Sequence, residues 1–269
     1  MNFGSERSYT YSEVKMKTTR IQHIAFSQVT KAEVLQLISE CVNGACGGGQ
    51  IVTVNSDILL KSERDKELAR IIHNAWLVTP DGTPIIWLSR LIGNPLPERV
   101  TGADLVVDIC KESEKAGLAI FFLGGNPGVA ELAKHRAEEK WHGANIVSTY
   151  CPSPEELMDS ALSARIVDKI NDSGANVLLV GLGAPKQEKW IDRHREEIRP
   201  PVLIGVGASF DFLAGTLPRA PKWMQVVGLE WLFRLITEPR RLWRRYLSDF
   251  RILKYFFLAF IKSVKGDKT

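Results

Sequence analysis

With 269 residues, 45% of them hydrophobic and 25% charged, the chain has the make-up of an ordinary globular protein, which excludes the disordered and fibrous classes and allows one large core with an appendage. Its net charge of +4 is too small to point to nucleic acid, so where the charge falls matters more than its sum. Ten Lys and Arg against three acidic residues lie between Arg234 and Lys268, more than the surplus of the whole chain.

The first residues, to about Arg20, are polar and of mixed charge, without the apolar stretch of an export signal, and read as a frayed extension. A strand is expected at Ile21–Phe26 and an amphipathic helix at Thr30–Val42, followed by a glycine loop at Gly47-Gly48-Gly49. Regular alternation follows. Ile51–Val54 reads as a buried strand, Ser56–Asn74 as a helix, and Trp76–Val78 as a strand ending in Pro80-Asp81-Gly82. Strands are expected at Ala119–Leu123, Ala144–Thr149, Val177–Val180 and Val202–Val206, with helices at Ala103–Ala116, Val129–Lys140, Pro154–Asp172 and Lys186–Glu196. Apolar strands alternating with helices predict an α/β, Rossmann-like, mostly parallel sheet covered by helices on both faces. Cys41, Cys46, Cys110 and Cys151 lack zinc-ligand spacing and are read as free thiols in a reducing compartment.

In such sheets ligands sit beyond the carboxyl ends of the strands, and these ends carry Thr53-Val54-Asn55, Pro80-Asp81-Gly82, Gly124-Gly125, Gly181-Leu182-Gly183 with Lys186-Gln187-Glu188, and Gly205–Asp211. Glycines let the backbone approach a phosphate, and helix N-termini offer free N–H groups. A nucleotide diphosphate suits them, although glycines at single strand ends also serve plain tight turns. Lys186 and Gln187 are candidates for phosphate or sugar, and Glu188 for stabilising a helix start. Asp81 is the candidate general base, able to accept a proton from a sugar hydroxyl. Its plainer alternative is a turn former or helix cap. Asp57, Asp104 and Asp211 are rival acids, with Asp211 foremost. The histidines show no metal-ligand spacing and no Asp-x-Asp pair is present, so neither a metal nor another cofactor is expected.

Together these segments resemble the WecG/TagA/CpsF glycosyltransferases, glycosyltransferase family 26. The likeness is carried by Thr53-Val54-Asn55, Pro80–Pro84, Leu96–Leu105, Phe122–Gly128, Gly181–Trp190, Gly205–Gly215, Arg219–Gln225, Gly228–Leu235 and Glu238–Tyr246, in family order. It implies inverting transfer, without a metal, from a UDP-sugar to a polyprenyl diphosphate-linked sugar. Members with known chemistry transfer N-acetylmannosamine, its uronic acid or glucose in building cell-surface polymers. The resemblance places the base at Asp81 and polar pocket positions at Thr53, Asn55 and Gln187. The chain departs from the common pattern at Pro80, Ser56 and Asp57, onto which no role is carried.

The tail repeats Tyr246, Phe250, Leu253, Phe257, Phe260 or Ile261, and Val264 at helical spacing, with much of the charge opposite. Such a helix can lie on an anionic membrane surface, where each Lys or Arg adds roughly 1 kcal/mol; the same stripe could instead pack on the core or a sister subunit, and a homo-oligomer stays open. The longest apolar run, Tyr255–Ile261, is too short to span a bilayer. In the resembling family the tail meets the membrane and brings arginine to the diphosphate, which makes Arg219, Arg234, Arg240, Arg241 and Arg244 candidates. The expected organisation is an extension over 1–20, a Rossmann-like catalytic core over 21–218 and a membrane-associating helical appendage over 219–269, in a cytoplasmic protein peripheral on the inner face of the cell membrane. Two rivals remain at this stage. An oxidoreductase would use the same sheet but lacks here a full dinucleotide fingerprint, and a non-catalytic membrane scaffold would need only the tail.

Overall fold

The computed structural model describes residues 16–265. A hairpin of β1 (Thr18–Ile21) and β2 (Ile24–Ser27) comes first, with Thr18 opposite Ser27 and Ile21 opposite Ile24. The single strand expected at Ile21–Phe26 is therefore two, and β1 begins inside the expected extension. The cause is Gln22, which takes a left-handed φ of 55° and reverses the chain. Ser27 Oγ accepts from Val78 N at 3.2 Å, so the hairpin covers one edge of the main sheet.

That sheet holds β3 (Gly49–Val54), β4 (Leu77–Pro80), β5 (Ile120–Gly124), β6 (Ile146–Tyr150), β7 (Val177–Gly181) and β8 (Val202–Gly205), all parallel, in the order β4-β3-β8-β7-β5-β6. Every residue of β3 and β5 is buried, as a sheet covered on both faces requires. Alternate side chains divide between the faces. Ile51, Phe122, Leu179 and Ile204 join one cluster with α1 (Lys31–Val42), α5 (Gly102–Ala116) and α6 (Val129–Lys140), while Phe121, Leu123, Leu178, Val180 and Leu203 pack with α8 (Ser160–Asp172) and α9 (Lys186–His194). Val52, Val54 and Val78 meet α2 (Ser56–Ser62), α3 (Lys66–His73) and α4 (Thr83–Leu91).

Two helices expected as continuous are broken. Asp65 separates α2 from α3 and caps the latter by accepting from Leu68 N at 3.0 Å. Asp159 does the same between α7 (Pro154–Met158) and α8, accepting from Leu162 N at 2.9 Å. In both, a side chain satisfies an N–H that helix geometry leaves unpaired, which rewards a fresh start. The expectation of four free thiols is also corrected. Past the end of α1 the chain turns through Gly44, bringing Cys46 to a Cα separation of 4.6 Å from Cys41, and the two sulfurs are bonded. Cys110 and Cys151 are free.

Beyond β8 come α10 (Ser209–Ala214), α11 (Lys222–Val226), α12 (Glu230–Thr237), α13 (Pro239–Asp249), a 3-10 turn at Phe250–Ile252, and α14 (Leu253–Lys265). Several described side chains dock the last segment. Ile252 and Tyr255 enter the cluster under α4, and Lys254 Nζ reaches Glu63 at 3.0 Å. Of the stripe expected in this tail, Leu253, Phe257 and Phe260 stand 58%, 65% and 58% exposed, on the side away from Tyr255; the side chains of Tyr246, Phe250 and Val264 lie outside the described ones. Among the described residues no helix is long and apolar enough to cross a membrane.

Candidate active site

Because β3 and β8 are neighbours while β3 is followed by β4 on its other side, the chain parts above the ends of these strands, and a crevice opens there. It has a volume of about 810 Å³ and is walled by strand ends on one side and by α12 and the start of α14 on the other. Such a volume suits a drug-sized or nucleotide-sized ligand.

At the end of β3, Thr53 is buried and its hydroxyl donates weakly to Gly205 O at 3.4 Å. Asn55 caps α2, its Oδ1 accepting from Ile58 N at 3.1 Å, which leaves its NH2 as the donor end of the amide. Asp81 follows β4 and extends the ladder, its N–H donating to Val54 O at 2.9 Å. Gly82 takes the cap position of α4, and no side chain caps that helix. The Asp81 carboxylate is thus not a helix cap, and it lines the crevice.

Burial pushes the Asp81 carboxyl up to about 6; the Arg99 and Arg234 charges pull the other way, while Glu230 and Asp104 add to the rise. These groups belong to an ion cluster. Arg99 Nη1 meets Glu230 Oε2 at 2.8 Å and Arg99 Nη2 lies 3.9 Å from Asp104 Oδ2. Arg219 Nη2 meets Asp104 Oδ1 at 2.6 Å and its Nε lies 3.8 Å from Glu230 Oε1. Burial raises the Asp104 carboxyl, but the Arg219 charge and hydrogen bond, with Thr101 and Arg99, more than offset it and hold it below the usual range. Arg234 lies over the Phe212 ring at 5.5 Å, with its Nε 3.9 Å from Glu238 and without a hydrogen bond.

Gln187 ties two loops together. Its Oε1 accepts from Gly183 N at 3.2 Å and Gly207 N at 3.0 Å, and its Nε2 donates to Glu188 Oε1 at 2.8 Å. A Cβ at Gly205 would stand 2.5 Å from that Nε2, so only glycine leaves room for it. The buried Glu188 is itself held above the usual carboxylate range by burial.

Of the residues singled out in the sequence, Asp81, Thr53, Asn55, Gly183, Gln187 and Arg234 line the crevice. Gly124, Gly125 and Gly181 do not line it. Gly125 N donates to Gly181 O at 2.9 Å, so these glycines join β5 to β7. Lys186 is exposed at the start of α9, and Asp211 accepts from the Thr216 hydroxyl at 3.3 Å; neither lines the crevice. Arg219 stands behind it as the partner of Asp104, and Arg240 is exposed on α13. Arg241 and Arg244 lie on α13 with side chains outside those described. Sequence reasoning gave no role to Arg99, Glu230, Trp87, Trp231 or Lys61, all of which line the crevice, as does the rival acid Asp57, which pairs with Lys61 at 2.8 Å. Arg99 and Glu230 do lie inside the blocks that carry the family likeness, the one signal that could have found them. Among the described residues no three His, Cys, Asp or Glu side chains gather as a metal-ligand set.

The family described as "Glycosyl transferase WecG/TagA/CpsF family" matches residues 19–268. An N-acetylglucosaminyldiphosphoundecaprenol N-acetyl-beta-D-mannosaminyltransferase of Bacillus subtilis (strain 168) is 30% identical over 254 residues, which cover 94% of this chain and 95% of that protein. A protein of the same description from Bacillus spizizenii (strain ATCC 23059 / NRRL B-14472 / W23) is 32% identical over 201 residues, 75% of this chain and 76% of that one.

Proposed function

The chain belongs to the WecG/TagA/CpsF glycosyltransferase family, and on that footing we propose that it is an inverting, metal-independent enzyme moving a sugar from a UDP-sugar donor onto a polyprenyl diphosphate-linked saccharide in cell-surface polysaccharide synthesis. The activity in the names of its Bacillus relatives supports N-acetylmannosamine as the sugar moved and N-acetylglucosamine on the lipid diphosphate as the acceptor. The observation that carries the proposal is a carboxylate, Asp81, held in a crevice with two guanidinium groups close enough to act on its charge.

In this reading Asp81 takes the proton of the acceptor hydroxyl as its oxygen bonds to the anomeric carbon. The bond from that carbon to the diphosphate breaks on the opposite face, which inverts the centre, and UDP leaves with the electron pair. Arg234 lines the crevice, and its guanidinium meets the charge growing on the diphosphate, the work that a metal does elsewhere. A carboxyl near 6 is ionised at neutral pH and still basic enough to serve, since the best general base titrates close to the working pH. Thr53 and the Asn55 amide supply sugar or nucleotide hydrogen bonds.

Residues 219–269 serve in this proposal as the appendage that both closes the crevice and meets an anionic membrane on its inner face. Exposed Leu253, Phe257 and Phe260 beside the basic residues of the tail support it. The test is UDP release by the full chain with UDP-N-acetylmannosamine and the lipid-linked N-acetylglucosamine acceptor, with and without EDTA. Release that needs the acceptor and survives EDTA is expected. Release abolished by EDTA would remove the metal-independent part, and no release with any donor would remove the transfer itself.

A further inference from the structure

The ion cluster behind Asp81 joins pieces of chain far apart in sequence. Arg99 precedes α5 in the core, Arg219 lies in the connection after α10, and Glu230 is the first residue of α12. Glu230 is the link. One carboxylate oxygen meets Arg99 at 2.8 Å and the other lies 3.8 Å from Arg219. Four residues on, one helical turn, Arg234 comes off the same face of α12 and into the crevice. The backbone just before α12 is held by Leu229 N donating to Met224 O at 2.7 Å, and the Glu230 pairs carry that hold across to the core. The cap position of α12, Leu229, offers no side-chain hydrogen bond, and α12 has no fully buried residue.

We propose that Glu230 is a positioning residue, which clamps the first turn of α12 to Arg99 and Arg219 and thereby sets Arg234 in the crevice beside Asp81. The clamp rests on the transfer reaction proposed above only for its effect on rate; the placement of α12 is independent of it. The charges that face Asp81 agree with this arrangement. Arg99 and Arg234 draw its carboxyl down while Glu230 and Asp104 push it up, so both ends of the α12 turn are felt at the same carboxylate. Both side chains of the Arg99–Glu230 pair are about one-fifth exposed, and a partly shielded, hydrogen-bonded pair holds its geometry better than a surface one. Glu230 touches no reacting atom in this account. It acts through Arg234.

The experiment has two arms on the full-length protein. In the first, amide hydrogen exchange is followed over residues 230–237 in the wild type, Glu230→Ala and Glu230→Asp. Exchange at least tenfold faster in Glu230→Ala, with partial recovery in Glu230→Asp and no change over β3 and β8, is expected; exchange at the wild-type rate in Glu230→Ala overturns the clamp. In the second, kcat/KM for sugar transfer is compared among wild type, Glu230→Ala, Arg234→Ala and the double variant. If Glu230 acts through Arg234, the double variant is no slower than Arg234→Ala alone. Losses that multiply in full overturn the positioning role. A wild type without transfer activity, but with the expected exchange result, would sink the proposed reaction and leave the clamp standing.

Discussion

In β3 and β5 every residue is buried, whereas among the described side chains from Lys222 to Lys265 the buried hydrophobic ones are Leu242, Ile252, Tyr255 and Ala259, and Trp223, Ile236, Trp243, Leu247, Leu253, Phe257 and Phe260 stand exposed. The sheet keeps its apolar side chains for itself. Among the described side chains the C-terminal helices hold on through a few buried anchors and ion pairs and turn many large apolar ones outward, which is uncommon for a surface that meets only water. The crevice lies where the two regimes meet, with its carboxylate on the rigid side and Arg234 on the loosely held one. In the reaction proposed above, such a site would keep its base fixed while the part assigned to the bulky lipid-linked substrate adapts.

Four changes break or sharpen that contrast. The largest effect is expected from Asp81→Asn, which should lower kcat roughly 10²–10⁴-fold, the usual contribution of a general base. Its stability should not suffer. The folded state holds the Asp81 proton more tightly than the unfolded chain does, so stability is lost as pH rises from about 4 to about 6 and the cost is constant above that; the amide should therefore stabilise the fold by roughly 1–3 kcal/mol at pH 8 with no gain below pH 4. A fall in Tm at pH 8 would contradict this. In the native enzyme the acid limb of kcat/KM should lie near pH 6, and a limb near pH 4 would remove the raised carboxyl.

Next, Phe122→Ala removes a fully buried ring that stacks on Phe210 with centroids 4.6 Å apart, and should cost about 3–5 kcal/mol in chemical denaturation. Gly124→Ala should cost less, about 1–3 kcal/mol. Gly124 has a φ of 101°, and a Cβ there would stand 2.8 Å from Gly181 O. The smallest effect on the fold belongs to the other region: Phe257→Ser should change stability by no more than about 0.5 kcal/mol. It should nevertheless weaken sedimentation with vesicles of anionic lipid, and unchanged sedimentation would show that this face is not the membrane contact.

The alternation of strands and helices could be read because buried parallel strands are short apolar runs and the helices between them are strongly patterned; α6 falls where its pattern puts it, at Val129–Lys140. Breaks escaped where apolar spacing ran on through a local hydrogen bond, as at Asp65 and Asp159. The hairpin escaped because its turn is Gln22-His23, without the glycine or asparagine that usually announces a reversed φ. For the site, the sequence shows which residues end strands but not which strand ends are neighbours. Only the order β4-β3-β8-β7-β5-β6 decides that Asp81 and Gly183 share a crevice while Gly124 and Gly125 stand outside it. Glu230 was hidden for the same reason, since its partner Arg99 lies 131 residues away.

That order also sets a timetable for the protein's own making. β3 is completed at Val54 but its inner neighbour β8 spans Val202–Gly205, so an emerging chain holds an open strand edge while some 150 residues follow from the ribosome. Unpaired strand edges invite association, and chains grow at only about 5–20 residues per second. The pocket needs still more, because Glu230, Arg234 and Phe256 form its far wall. A chain stopped between the sheet and α12 would lack these three residues, and the reaction proposed above would then have a crevice without its far wall.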